Sequence, residues 1–376
     1  MLIRMPRIAG SLGLLFTFSL AACHDSTERN KTDAFSVADT AADDAPTRPP
    51  TDAAVSRDTP PSDLSSSRDV AADNPANVDI ADGPIERTIV PDLESILDVG
   101  IVTTTSAEVG LAVWGSSPND IWIGGKGGML RHWNGSAWKD YPFFSATCLV
   151  VSIWGSSPTS VWAAGCTNTV AHWDGIQWQE QATPAGNRLL ETMAGSADDD
   201  IWIGGCSGML LRWDGHSWSD VSVGMLCHEA FWFNGRSDGW LVSINGSASG
   251  ISRWNGQQWT EMDMTGIGEG RPTSLFATAI DDVWVGTWNG LYHFDGTQWG
   301  IPSAGTDIGK DRSSVFALWG RSSLDMYAGT TQGSHFDGTS WSSLPLAPGS
   351  VRGIWGEAVG ETWFVGDNGF LGRVTN

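Results

Sequence analysis

Four of the seven histidines, His132, His172, His293 and His335, fall at one place in a recurring pattern, and Arg212, Arg253 and Arg373 take that place in the other copies. A short way upstream of each stands Asp120, Ser160, Asp200, Asp238, Asp282, Asp325 or Glu361. Imidazole beside carboxylate is the pairing used for proton transfer and for metal ligation. Here the pairs recur about forty residues apart, one per repeat, and alternation along a strand turns each basic residue away from the face of the aromatic that follows it. The expected role is therefore structural: a charge-assisted hydrogen bond between neighbouring strands. Six of the seven copies can pair a carboxylate with His or Arg in this way.

Tryptophan is the second residue type that could do chemistry, because an indole face stacks on sugars, cations and peptides. The chain has 22 tryptophans, and all but Trp288 recur at four fixed marks, where packing explains them. Trp288 stands at a turn in which other copies carry Lys126, Cys166 or Cys206. An off-pattern indole in a turn is expected to anchor a ligand or to cover a neighbouring loop. The longest connecting loops, 260–274 and 300–314, are Gly-rich and carry Glu261, Asp263, Glu269, Arg271, Asp307, Lys310, Asp311 and Arg312. Loops on a rigid scaffold are where binding residues concentrate. Trp288, Arg271 and Arg312 are the candidate binding residues.

No nucleophile motif, zinc-binding helix, phosphate loop or calcium loop is present, so catalytic residues, cofactors and metal are all expected to be absent. Gly124–Gly128 reads G-G-K-G-G, but no helix follows to complete a phosphate site. Four cysteines, Cys148, Cys166, Cys206 and Cys227, form an even set, as in exported disulfide proteins. Three pairings are open. Strand ends favour 148–166 and 206–227, with a zinc site as the alternative.

These residues must be positioned by the repeat itself, which has a period of about forty residues and recurs seven times from about residue 111. The first mark runs Trp114, Trp154, Ala194, Trp232, Phe276, Trp319, Trp355, and the second runs Trp122, Trp162, Trp202, Trp240, Trp284, Tyr327, Trp363. The third is Trp133, Trp173, Trp213, Trp254, Phe294, Phe336 and Val374, and the fourth is Trp138, Trp178, Trp218, Trp259, Trp299 and Trp341. Asn-Gly or Asp-Gly separates the last two marks each time, a hairpin signal that predicts a two-residue type I′ turn. The runs between turns are short and rich in β-branched and aromatic residues, with no helical period. Each repeat is thus four antiparallel strands, and radial repetition of such sheets makes an all-β, seven-bladed β-propeller over 97–376. The seventh copy ends before a fourth strand, and residues 98–103 are predicted to supply it and close the ring.

These motifs resemble the broad group of propellers that includes WD40, BNR/Asp-box and tectonin-type repeats. The W-x-G and strand–turn–Trp rhythm is most similar to the tectonin-like repeats, a group that includes lectins. The WD40 dipeptides and the Asp-box spacing are not met: Asp and Gly are adjacent, as in Phe294–Trp299.

Upstream, Arg4 and Arg7 precede an apolar run from Ile8 to Ala22 and then Cys23, which reads as a secretory signal over 1–22. Leu20-Ala21-Ala22-Cys23 resembles the bacterial lipobox, which implies that Cys23 is the lipid anchor and, with His24 following, that the destination is the outer membrane, periplasmic or surface-facing. Residues 24–96 lack Trp and Tyr and carry sixteen acidic against six basic residues. Such a composition cannot bury enough apolar area to order itself, so 23–96 is expected to be a disordered tether spanning about 45–50 Å. The formal charge of −22, with no basic run, argues against nucleic acid. The expectation is a monomeric, membrane-anchored module that binds a protein or a glycan at the cell surface. The rivals are a propeller lyase or hydrolase and a purely structural envelope component.

Overall fold

The computed structural model describes residues 109–375, apart from 223, 225, 246–247, 269, 303–307, 309–312, 345 and 347–348. The signal, Cys23, the tether, the expected closing strand at 98–103, and Arg312 lie outside the described residues.

The architecture is a seven-bladed β-propeller. Blade one comprises strands Gly110–Ser117, Asp120–Gly125, Leu130–Trp133 and Trp138–Asp140, paired antiparallel in sequence order. Five further blades repeat this order, and the seventh has three strands among the described residues, Val351–Gly356, Glu361–Gly366 and Leu371–Thr375. The first strands of successive blades neighbour one another around the ring, and that of blade seven returns to that of blade one.

Two aromatic joints hold the blades together. In five of the blades the second-mark ring meets the fourth-mark Trp of the next edge to face, as Trp122 does with Trp178 at 5.0 Å and 88°, Trp162 with Trp218 at 5.7 Å and 81°, and Trp202 with Trp259 at 5.6 Å and 85°. The first-mark Trp instead reaches over the glycine that follows the first mark in the next blade. A Cβ added to Gly155 would stand 2.7 Å from Trp114 Cη2, and one added to Gly195 would stand 2.8 Å from Trp154 Cη2. Where blade three offers the small Ala194, blade four answers with Phe233 in the glycine's place, so volume is conserved across the joint.

The hairpins between the third and fourth strands form where expected, but their turn differs. Trp133 pairs with Trp138, leaving a four-residue loop, and Gly135, not Asn134, takes positive φ (88°). The Asn134 side chain explains this: its Oδ1 accepts hydrogen bonds from the N–H groups of Ser136 and Ala137 at 3.0 and 2.9 Å, an Asx turn that replaces the type I′ geometry. Asp174, Asp214, Asp295 and Asp337 do the same, and these bonds hold the carboxyls of Asp174, Asp214 and Asp337 below the ordinary range; at Asp295 the Thr297 hydroxyl, then the same backbone bonds, hold it down to about 2.

The repeated basic residue closes a chain of contacts at the opposite end of the blade from the second-to-third-strand turn. His132 Nε2 lies 2.5 Å from Asp120, His293 Nε2 2.6 Å from Asp282, His335 Nε2 2.8 Å from Asp325, and Arg373 3.0 Å from Glu361. In blade two Ser160 replaces the carboxylate and shares a 3.1 Å hydrogen bond with His172. Blade three buries the pair most deeply: Asp200 is fully buried and accepts from Arg212 at 2.8 Å and from Ser196 at 2.5 Å. Cross-strand pairing also lays each histidine flat on the second-mark ring, as with His132 on Trp122 at 4.3 Å. Blade four departs, since Asp238 bonds Asn234 there and forms no ion pair with Arg253.

Candidate functional site

Strand direction separates two faces. The glycines of the Asx turns pack against the turns between first and second strands, as Gly175 does against Thr159, which makes one face. The other face gathers the turns between second and third strands with the loops that lead into the next blade. Gly128 N donates to Cys148 O at 2.9 Å there, and Gly208 N donates to Leu226 O at 2.7 Å. Both disulfides, Cys148–Cys166 and Cys206–Cys227, also lie on this face. They are the pairings favoured from strand ends, so the four thiols are not a zinc set. Among the described residues no three His, Cys, Asp or Glu side chains converge to hold a metal ion.

An open channel of ≈ 210 Å³ runs between the first strands and is lined by Leu111, Val151, Leu275, Phe316 and Ile354, among others. Three residues before the first mark, on or just before the inner strands that surround this channel, successive blades carry Leu111, Val151, Glu191, Glu229, Thr273, Phe316 and Arg352. Two neighbouring blades therefore carry carboxylates, next in order to two that carry apolar residues. On the far side Arg352 is already satisfied: it stacks on Phe316 at 4.1 Å and pairs with Asp367 at 2.9 and 3.1 Å.

Blade five completes the rim. Trp288 and Asn289 form the turn between strands Asp282–Thr287 and Gly290–Phe294. Trp288 N donates to Arg271 O at 3.0 Å, and Ser314 Oγ donates to Trp288 O at 3.0 Å, so the turn is clamped from both sides. The Arg271 guanidinium lies 5.2 Å over the Trp288 ring and donates to Glu229 Oε1 at 3.0 Å. The indole nonetheless stays 40 % exposed, far more than the tryptophans at the second mark.

The two acids are perturbed. Burial first, then the neighbouring Glu229 charge, pushes the Glu191 carboxyl up to about 7 against the opposing pull of Arg271. Burial also raises Glu229, opposed by Arg271. Glu191 has no ion pair among the described residues; Cys206 Sγ stands 3.8 Å from its Oε1, and a disulfide sulfur has no proton to donate. Behind them His228 is buried, shares a 2.8 Å hydrogen bond with Ser243, and is pushed down to about 4 by that burial.

Of the three candidate residues, Trp288 and Arg271 are thus brought into contact. Glu191 and Glu229 were not singled out from sequence. Their signal was there to read: the same offset from the first mark holds acids in two adjacent blades only.

The fold is a seven-bladed propeller, and one of its faces brings an exposed aromatic turn beside two acids on neighbouring inner strands. No family model matches the sequence, and no curated protein matches it. Solved structures similar to it include YCF48 bound to a D1 peptide, at 15 % identity and TM-score 0.59, covering 72 % of this chain and 94 % of that one. The WD40 β-propeller domain of Doa1 is similar at 11 % identity and TM-score 0.58, covering 75 % and 96 %. So is the extracellular domain of a protein described as a hybrid two-component system of B. thetaiotaomicron, at 16 % identity and TM-score 0.58, covering 74 % and 39 %. At such identities the likeness shows the fold.

Proposed function

We propose that this chain is an exported, lipid-anchored binding module of the cell envelope that takes a protein partner at the mouth beside blade five. Trp288 is the observation that carries this reading. A large aromatic held in place before binding loses little freedom on contact, and such residues dominate interface energetics. The reading also draws on the similar fold of YCF48, which is bound to a peptide, and on that of an extracellular domain. The anchor rests on the lipobox at Leu20–Cys23, and the acidic, proline-bearing 23–96 segment would hold the propeller away from an outer-membrane surface. The test is capture from envelope extracts with the full chain beside a Trp288→Ala, Arg271→Ala variant. Proteins held by the wild type and lost by the variant support the reading; identical captures refute it.

One observation favours a second reading as a polysaccharide hydrolase or lyase: Glu191 has the near-neutral carboxyl that acid–base catalysis requires. Cleavage of a polysaccharide by the wild type and not by Glu191→Gln would establish it.

A further inference from the structure

Resting on that binding reading, we propose that the partner presents a basic side chain, Lys or Arg, beside an apolar residue, with the cation entering between Glu191 and Glu229 and the apolar residue packing on Trp288. The geometry assigns each part. Arg271 is already committed, donating to Glu229 and stacked on Trp288, so one cation serves two carboxylates on neighbouring inner strands. Glu191 is left largely buried with no ion pair among the described residues. An incoming ammonium or guanidinium would supply the missing charge at a part-buried carboxylate, where a charge-assisted bond is stronger than in open water.

Among the described residues, the other positions of the rim do not offer the same. Leu111 and Val151 are apolar, Thr273 Oγ1 is spent on backbone carbonyls, and Arg352 is saturated by Asp367. An acidic partner would meet the charge of Glu191 and Glu229 and, with residues 97–376 carrying 27 acidic against 13 basic residues, the field of the whole propeller. The exposed indole supplies what an acidic pair alone lacks: an apolar contact beside the charge, which sets which residue must neighbour the cation.

The contact should also be tuned by pH. Among the described residues, the groups that act on Glu191 are Glu229 from the inner strand of blade four, Arg271 at the entry to blade five, and the Cys206–Cys227 disulfide. Protonating Glu191 below about 7 removes the charge the cation would meet, so affinity should fall as the solution is acidified.

The probe is a randomised peptide library displayed on phage, selected on the full chain above pH 7 and, in parallel, on Trp288→Ala. The wild type is expected to enrich Lys or Arg adjacent to an apolar residue. A synthetic peptide from that set should bind about tenfold more weakly to Glu191→Gln. Glu180→Gln, which removes an exposed acid elsewhere on blade two, should leave binding unchanged, separating the site from general attraction to an acidic protein. Trp288-dependent enrichment of neutral or acidic peptides overturns the basic-partner proposal while leaving the binding reading intact. The absence of any Trp288-dependent enrichment overturns both.

Discussion

Trp138 and Trp363 meet edge to face across the seam between the first and last blades, with ring centroids 6.2 Å apart and planes at 79°. This is the same joint that Trp122 and Trp178 make between blades one and two, so the ring is closed by the contact that builds it. Trp363→Ala would empty a buried site at the seam between blades one and seven. It should cost about 3–5 kcal/mol by denaturant unfolding, more than truncating the exposed Trp288.

Gly155 is set by Trp114 of the preceding blade. Gly155→Ala should destabilise by about 1–3 kcal/mol, since the added methyl has no room beside the indole. Combining it with Trp114→Ala should recover part of that loss. A double-mutant cycle measures the coupling, and purely additive costs would contradict the joint as described.

Asp200→Ala should lower the melting temperature, because it removes the buried acceptor of Ser196 and of the part-exposed Arg212, a loss of about 1–3 kcal/mol. Peptide affinity at the opposite mouth should not change. An unaltered melting temperature would contradict a structural role for the repeated pair.

The acids at the mouth make stability depend on pH with a definite sign. The native Glu191 carboxyl sits near 7 against an unfolded value of 4.5, so the folded state holds the extra proton and stability falls as pH rises between those values. His228, with a native value of about 4 against 6.5, acts the opposite way over much of the same window, gaining stability as pH rises. Comparing wild type with Glu191→Gln cancels the His228 contribution. The variant should be the more stable above pH 7, by up to about 3 kcal/mol, and the difference should shrink toward pH 4.5. A constant difference across that range would contradict the assignment.

The sequence announces the fold because the tryptophan marks are both the strand pattern and the inter-blade joints: the residues that reveal the period also pack it. The Asx turns were legible as hairpins but not in type, because the deciding hydrogen bonds come from the side chain of Asn134 or Asp174 and not from backbone preference alone. At the mouth, Trp288 stood out by breaking the pattern, and Arg271 by lying in a long loop. Glu191 and Glu229 escaped notice because an acid inside a strand looks like any solvated residue until the ring brings two inner strands side by side.

Affinity for a peptide ligand of the full chain, compared among wild type, Trp288→Ala and Ile176→Ala, tests the central claim most directly. Ile176 is 84 % exposed in an Asx turn on the opposite face. The account predicts at least tenfold weaker binding for Trp288→Ala, with Ile176→Ala equal to wild type. Undiminished binding by Trp288→Ala, or a loss confined to Ile176→Ala, would contradict the placement of the site at the mouth beside blade five.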